Sequence, residues 1–292
     1  MRSPEFEAMV RPARLYPELW RLLLGVIVIV FCYFGGVALM LVGVFAAVGP
    51  LEFFGWIQGL AMPDQPAQTL VLLGTFSGLL VGAFLAALVH FRGPGTLFGP
   101  RDETLRGFIV TVLVSAPFYA ALMGAGAWLE PAVPNLEWQT WLRLLPAALA
   151  LLLVQISAEE LIFRGYLQQQ LAARFAARWI WMGLPSLLFC ALHWNPAAGP
   201  SAWLILLTTF VFALVLADLT ERTGSLGAAL GLHFVNNVAG LLVISISGTI
   251  TGLARWVTPF GLEEGARLVP SLGFNIVFIL VLWRVLVRVL DR

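Results

Sequence analysis

Residues Thr140–Leu167 read TWLRLLPAALALLLVQISAEELIFRGYL. About 20 mostly apolar residues suffice to cross the roughly 30 Å of a bilayer's hydrocarbon, so this stretch is long enough to span. Its last third nevertheless carries Glu159, Glu160 and Arg164. A charge near a bilayer centre costs roughly 2.5–3.5 kcal/mol, so a cluster of three faces itself or a hydrated cavity rather than lipid. Such a cluster is a functional site by default.

The rest of the chain supplies the membrane setting. Of 292 residues 60% are hydrophobic and only 11% charged, far from the composition of a soluble globular domain. Pro, Gly and charge divide the chain into eight candidate spans: Leu19–Val48, Thr69–His90, Leu105–Trp128, Thr140–Leu167, Pro185–Trp194, Ala202–Ala217, Leu226–Ser245 and Leu268–Val289. The expected fold is all-α, a polytopic membrane protein built as a bundle of about eight transmembrane helices. Residues 1–292 are expected to form a single transmembrane domain, without a soluble domain or clear internal repeat. The first apolar stretch is too long for a signal-peptide core and no A-x-A site follows it, so no signal peptide is expected. Met1 to Phe6 carry no weight in this reading.

All seventeen basic residues are arginines. They concentrate in the N-terminal tail (Arg2, Arg11, Arg14), between the second and third spans (Arg92, Arg101, Arg106) and between the fourth and fifth (Arg174, Arg178). Arg222 follows the sixth span, and Arg288 and Arg292 close the chain. The alternate loops Gly49–Gln68, Leu129–Gln139 and Asn195–Ser201 contain none. By the positive-inside rule both termini are cytoplasmic. The loop with Arg255 and Arg267 is the exception, offset by Glu263 and Glu264. Arginine-only usage hints at a GC-rich genome and no organelle signal is evident, which points to a bacterial inner (plasma) membrane. A net charge of +1 gives no pointer to nucleic acid, and none is expected as a partner. Cys32 and Cys190 sit in apolar segments and read as small buried hydrophobes.

Three polar sets interrupt the second half: Glu159, Glu160 and Arg164; His193; and His233 with Asn236 and Asn237. Counted from span ends near Leu167, Pro185 and Ser225, Glu159, His193 and His233 lie at one depth, about 12 Å below the cytoplasmic surface. Glu160 and Arg164 are four apart and can pair. Glu159 points about 100° away, leaving its carboxylate free for a cavity. His233 and Asn237, also four apart, share a face. A carboxylate and a histidine sharing a water can act as general base and then acid, while a second imidazole and an amide can donate to a tetrahedral oxyanion. The same side chains leave a metal open, since Glu159, His193 and His233 could hold a divalent ion such as zinc. No H-E-x-x-H is present, and the asparagine suits an oxyanion better than zinc. A serine mechanism lacks support: Ser157 and Ser225 have no G-x-S-x-G context. An aspartyl dyad fails too, because Asp218 alone lies near a span.

Other features receive plainer readings. His90 beside Arg92 reads as interfacial, and Trp179 and Trp181 as an interfacial belt. Gln168–Trp181 is expected along the cytoplasmic surface. Asn195-Pro196 should end the fifth helix, and Gly224 and Gly227 should serve a turn or close packing.

The order E-E-x-x-x-R (Glu159–Arg164), F-x-x-x-H (Phe189–His193), H-x-x-x-N (His233–Asn237), with RTGSLGAALGLH over Arg222–His233, resembles the CPBP family. These are the CAAX-processing and bacteriocin-processing (Abi) intramembrane proteases, and the resemblance covers the motif core 155–237. It implies an eight-helix fold and peptide-bond hydrolysis near the cytoplasmic face, with a membrane-associated protein or peptide as substrate. Glu159 and His193 would activate water, His233 and Asn237 would stabilise the oxyanion, and Glu160 and Arg164 would support the site. Eukaryotic relatives trim prenylated C-terminal tripeptides; bacterial ones are linked to peptide maturation or bacteriocin immunity. The competing reading is a non-catalytic membrane scaffold or immunity protein that binds a partner peptide. A third, a small-solute transporter, would favour an inverted repeat that the chain does not show. No oligomeric state is indicated.

Overall fold

A computed structural model describes residues 2–291; Met1 and Arg292, the latter used in the charge pattern, lie outside the described residues. The helices in chain order are α1 (Pro4–Val10), α2 (Leu19–Val48), α3 (Pro50–Gln58), α4 (Pro66–Val89), α5 (Arg101–Leu129) and α6 (Trp138–Arg174). They are followed by α7 (Trp179–Ala191), α8 (Ala202–Thr223), α9 (Gly227–Val243) and α10 (Gly265–Leu290). Among the described residues, six helices (α2, α4, α5, α6, α8, α10) are long and apolar enough to cross a membrane, and α7 and α9 are shorter apolar helices. The all-α polytopic class therefore holds. The expected count of eight spans depends on the two short helices.

Packing pairs α2 with α4, α4 with α6, α5 with α9 and α8 with α10. The α5–α9 contact is unusually close because glycine allows it. A Cβ at Gly227 would collide with the Thr104 carbonyl, and one at Gly231 would lie 2.8 Å from the Phe108 carbonyl oxygen. Small residues of this kind let membrane helices approach backbone to backbone. Gly224 has the other role foreseen for it: at φ 59° it is the left-handed cap that ends α8.

Two expectations fail and a third holds only in part, because hydropathy does not register a widened helical turn. α6 does not end near Leu167; it opens into a π-helical stretch, Leu161–Gln168, and continues to Arg174. Gln168–Trp181 is consequently buried in its first half, while Phe175, Ala176, Arg178 and Trp179 are exposed as expected. Gln168, Gln169 and Gln170 are buried, and Gln168 Nε2 and Gln169 Nε2 donate to the Ala217 and Leu97 carbonyls, each at 3.0 Å. α7 opens with a second π turn, Trp179–Gly183, ahead of Pro185, and ends at Ala191. His193 thus stands in the turn after α7 and not in a helix, so the depth counted from Pro185 does not apply. Trp179 is exposed as expected of a belt residue, but Trp181 is buried at 1% exposure, 5.3 Å from the ring of Phe6. Phe6 belongs to α1, which Ser3 caps by accepting from the Phe6 amide at 3.0 Å. Phe6, among the residues given no weight, is therefore part of the core.

Segments read as loops, with the last two residues of the expected seventh span Leu226–Ser245, form a small sheet. β1 (Val133–Pro134) runs antiparallel to β3 (Trp256–Gly261), and β2 (Ile244–Ser247) runs parallel to it. The sheet ties the end of α9 to the α5–α6 connection.

His90 is buried rather than interfacial. Its Nδ1 lies 3.1 Å from the Tyr16 carbonyl oxygen and its Nε2 lies 3.0 Å from the Tyr166 hydroxyl. Burial lowers its pKa below the ordinary 6.5, against the raising effect of the Tyr16 hydrogen bond and with help from Arg174, Arg92 and Arg21. Arg92 beside it is buried too; burial pushes its guanidinium down to about 10, and it donates to Gln169 Oε1 at 2.6 Å. The unfolded chain takes up the His90 proton more readily, so this contribution to stability is complete above about pH 6.5 and is lost as pH falls through the lower folded value. The thermal midpoint in detergent should drop between about pH 7 and 5, and His90→Gln should flatten that drop. Equal pH slopes for the two proteins would count against it.

Candidate active site

α6 presents Gln155 and Glu159, one turn apart, to one side, and Glu160 and Arg164 to the next. Arg164 Nη1 donates to Glu160 Oε1 at 2.9 Å, with both side chains excluded from solvent. Its Nη2 donates to the Ala213 carbonyl at 3.1 Å, and the guanidinium lies 4.7 Å above the centre of the Phe189 ring. The expected salt bridge is formed and fully buried.

α9 brings His233 between the two carboxylates. Nδ1 lies 2.7 Å from Glu160 Oε1 and Nε2 lies 3.5 Å from Glu159 Oε2. Glu160 accepting from Nδ1–H fixes the ring so that Nε2 turns toward Glu159 and the cavity, as a buried carboxylate orients histidine in hydrolytic triads. Phe189 and Phe212 stand edge-on to the same ring, at 6.0 and 5.6 Å between centres. His193 is held differently. Its Nδ1 donates to the Phe189 carbonyl at 2.8 Å, and its ring centre lies 4.7 Å from that of Phe189.

A cavity of about 260 Å³ gathers Glu159, His193, His233 and Asn237. Glu160 and Arg164 stand behind this wall. Glu159 Oε2 is buried and has no hydrogen-bond partner among the described residues. The closest imidazole nitrogen to it is that of His233, which spacing alone does not reveal. The cavity also includes Asn236, already part of the third polar set, and Gln155, Thr208, Thr209 and Asn275, which sequence reasoning does not single out. Gln155 and Asn275 carry the available signal, each an amide inside an apolar run, of α6 and α10 respectively.

The metal reading fares less well. Glu159, His193 and His233 share the cavity, but among the described residues no three His, Cys, Asp or Glu side chains converge as a metal ion requires. The donor set does not fit zinc in this arrangement, and the site's chemistry is derived from protein groups alone.

Fold and site together define an integral membrane protein with a buried carboxylate–imidazole centre. Over residues 140–239 the chain matches the family described as type II CAAX prenyl endopeptidase Rce1-like, a protease family, in agreement with the CPBP resemblance. It is also 35% identical over 111 residues to the uncharacterized protein YyaK of Bacillus subtilis (strain 168), covering 37% of this chain and 37% of that protein. The chain thus spans little more than a third of that relative. No solved structure matches.

Proposed function

We propose that the protein is an intramembrane endopeptidase that hydrolyses peptide bonds of membrane-associated substrates. In this reading α7 and α9 complete eight membrane segments, residues 1–292 act as one domain, and both termini face the cytoplasm of a bacterial cell. The observation that carries it is the buried Oε2 of Glu159, without a hydrogen-bond partner among the described residues and 3.5 Å from His233 Nε2, in a cavity shared with two imidazoles and an amide.

Glu159 takes a proton from a water held between it and His193, and the oxygen adds to the scissile carbonyl carbon. The resulting oxyanion accepts hydrogen bonds from Asn237 Nδ2–H and from His233, whose Nε2 donates when it carries a proton. Glu159 then delivers the proton to the departing amide nitrogen as the C–N bond breaks. Glu160 and Arg164 hold His233 in register throughout. A peptide-binding scaffold would have no use for a buried carboxylate oxygen kept free, since leaving such a group unmatched costs about 1–3 kcal/mol or more.

The test is cleavage of a panel of membrane-anchored peptides, prenylated CAAX-type peptides included, by purified protein with and without chelator. Cleavage that survives chelation is expected. Chelator-sensitive cleavage would require a metal, and no cleavage by folded protein would favour the binding-only reading.

The wall opposite the glutamates supports main-chain recognition of the substrate. Thr208 and Thr209 donate their hydroxyl protons to the Leu204 and Ile205 carbonyls at 2.8 and 2.9 Å, which turns lone pairs to the cavity. Asn275 can pair with both the N–H and the C=O of an extended peptide. Loss of about 1–2 kcal/mol of hydrogen bonding in Asn275→Leu should raise KM about 5- to 30-fold and leave kcat within about twofold. Steady-state kinetics on any cleaved peptide checks this, and an unchanged KM would remove Asn275 from the binding wall.

A further inference from the structure

A line of four polar side chains runs from Tyr119, behind the cavity, through three residues of its wall, and the scheme above uses one of them. Tyr119 on α5 donates from its hydroxyl to Asn236 Oδ1 at 2.9 Å. Asn236 Nδ2 donates to Asn237 Oδ1 at 3.0 Å, and Asn237 Nδ2 donates to Gln155 Oε1 at 2.9 Å. Each amide accepts at oxygen and donates at nitrogen, so the ribbon has a direction.

That direction is set at Tyr119. Its ring is buried at 5% exposure, and its hydroxyl has no other acceptor among the described residues. A reversed ribbon would leave the phenol proton buried without a partner, which folded proteins avoid. With the observed direction all three amide oxygens are occupied. Asn237 keeps one N–H free, and Gln155 keeps both N–H groups of Nε2, which makes no hydrogen bond among the described residues. Gln155 and Asn237 both line the cavity, and Gln155 lies one helical turn before Glu159 on the same face.

We propose that Gln155 is a second amide donor to the tetrahedral oxyanion, and that Tyr119 is the positioning residue that keeps the ribbon's N–H groups, rather than its oxygens, turned to the cavity. Donors directed in advance at developing negative charge stabilise the transition state, whereas an amide oxygen in the same place repels it. Tyr119 therefore affects the reaction without reaching the substrate. It lies outside the matched segment 140–239 and comes from a helix that contributes none of the candidate catalytic residues. The inference rests on the peptidase reading.

The test compares wild type, Glu159→Gln, Tyr119→Phe and Gln155→Met on one cleaved peptide, with thermal unfolding in detergent as the folding control. Tyr119→Phe keeps the ring and its edge-on contact with Phe278, 5.0 Å between centres, and Gln155→Met keeps the shape of the side chain. Each should lower kcat about 10- to 100-fold with KM within about twofold. Tyr119→Phe should cost less in the Gln155→Met background than alone, because the two act through one ribbon. A merely structural Tyr119 would lower the thermal midpoint without this selective loss of kcat. If Tyr119→Phe does not fold, Gln155→Met decides. Glu159-dependent cleavage with either folded variant at wild-type kcat overturns this proposal alone. Absence of Glu159-dependent cleavage overturns the peptidase reading and this proposal with it.

Discussion

Glu159→Gln should reduce kcat at least about 10³-fold while the protein stays folded and KM changes by no more than a few-fold. The substitution keeps the shape of the side chain and removes only its capacity to take and return a proton, a function worth about 10²–10⁴ in rate. Stability should survive because the buried cation is paired elsewhere: Arg164 binds Glu160, not Glu159. The carboxylate oxygen that is lost is one that has no hydrogen-bond partner, so the thermal midpoint should hold or rise. Single-turnover cleavage beside a melting curve separates the two effects. Residual kcat within tenfold of wild type would place the base on another residue, with His193 next in line.

Arg164→Met should do the opposite, destabilising the fold by about 3–5 kcal/mol, the range for removing one partner of a buried ion pair. The cost comes from what remains. Glu160, itself without solvent exposure, would keep only the His233 Nδ1 contact at 2.7 Å, and the Ala213 carbonyl would lose its donor. Pairing the change with Glu160→Gln removes the stranded charge, so the double variant should be more stable than Arg164→Met alone. Equilibrium unfolding in mixed micelles measures both. A single-variant loss below about 1 kcal/mol would mean that the pair is hydrated and that its supporting role has been misread.

What could be read from the chain follows from how local each signal is. The long spans were legible because hydropathy accumulates over many neighbours; Leu19–Val48 has the same bounds as a sequence segment and as a helix. The pairing of Glu160 with Arg164 was legible because four residues make one helical turn. His233 meeting Glu160, and Tyr119 meeting Asn236, are contacts across 73 and 117 residues of sequence. A lone tyrosine or glutamine in an apolar helix gives no hint of such a partner. The burial of His90 and Trp181 was missed because an aromatic or imidazole near a span end looks the same whether it faces lipid headgroups or another part of the chain, here Tyr16 and Tyr166 for His90 and Phe6 for Trp181. The π turns and the short sheet were invisible because each depends on tertiary contacts and not on composition.

Those π turns make chain length, not only residue identity, part of what the sequence must preserve. Two of the three directly follow candidate site residues: Leu161–Gln168 begins after Glu160, and Val238–Val243 begins after Asn237. A π turn holds extra chain within a helix that continues on both sides. Closing Leu161–Gln168 into ordinary α-helix with its residue number unchanged would leave one residue too many for the turn. Everything beyond would then rotate by about 100° relative to the glutamates. Gln168 and Gln169 would swing away from the Ala217 and Leu97 carbonyls that anchor them. Homologues whose helix is not widened here should therefore be one residue shorter across this region, turn type and residue number changing together.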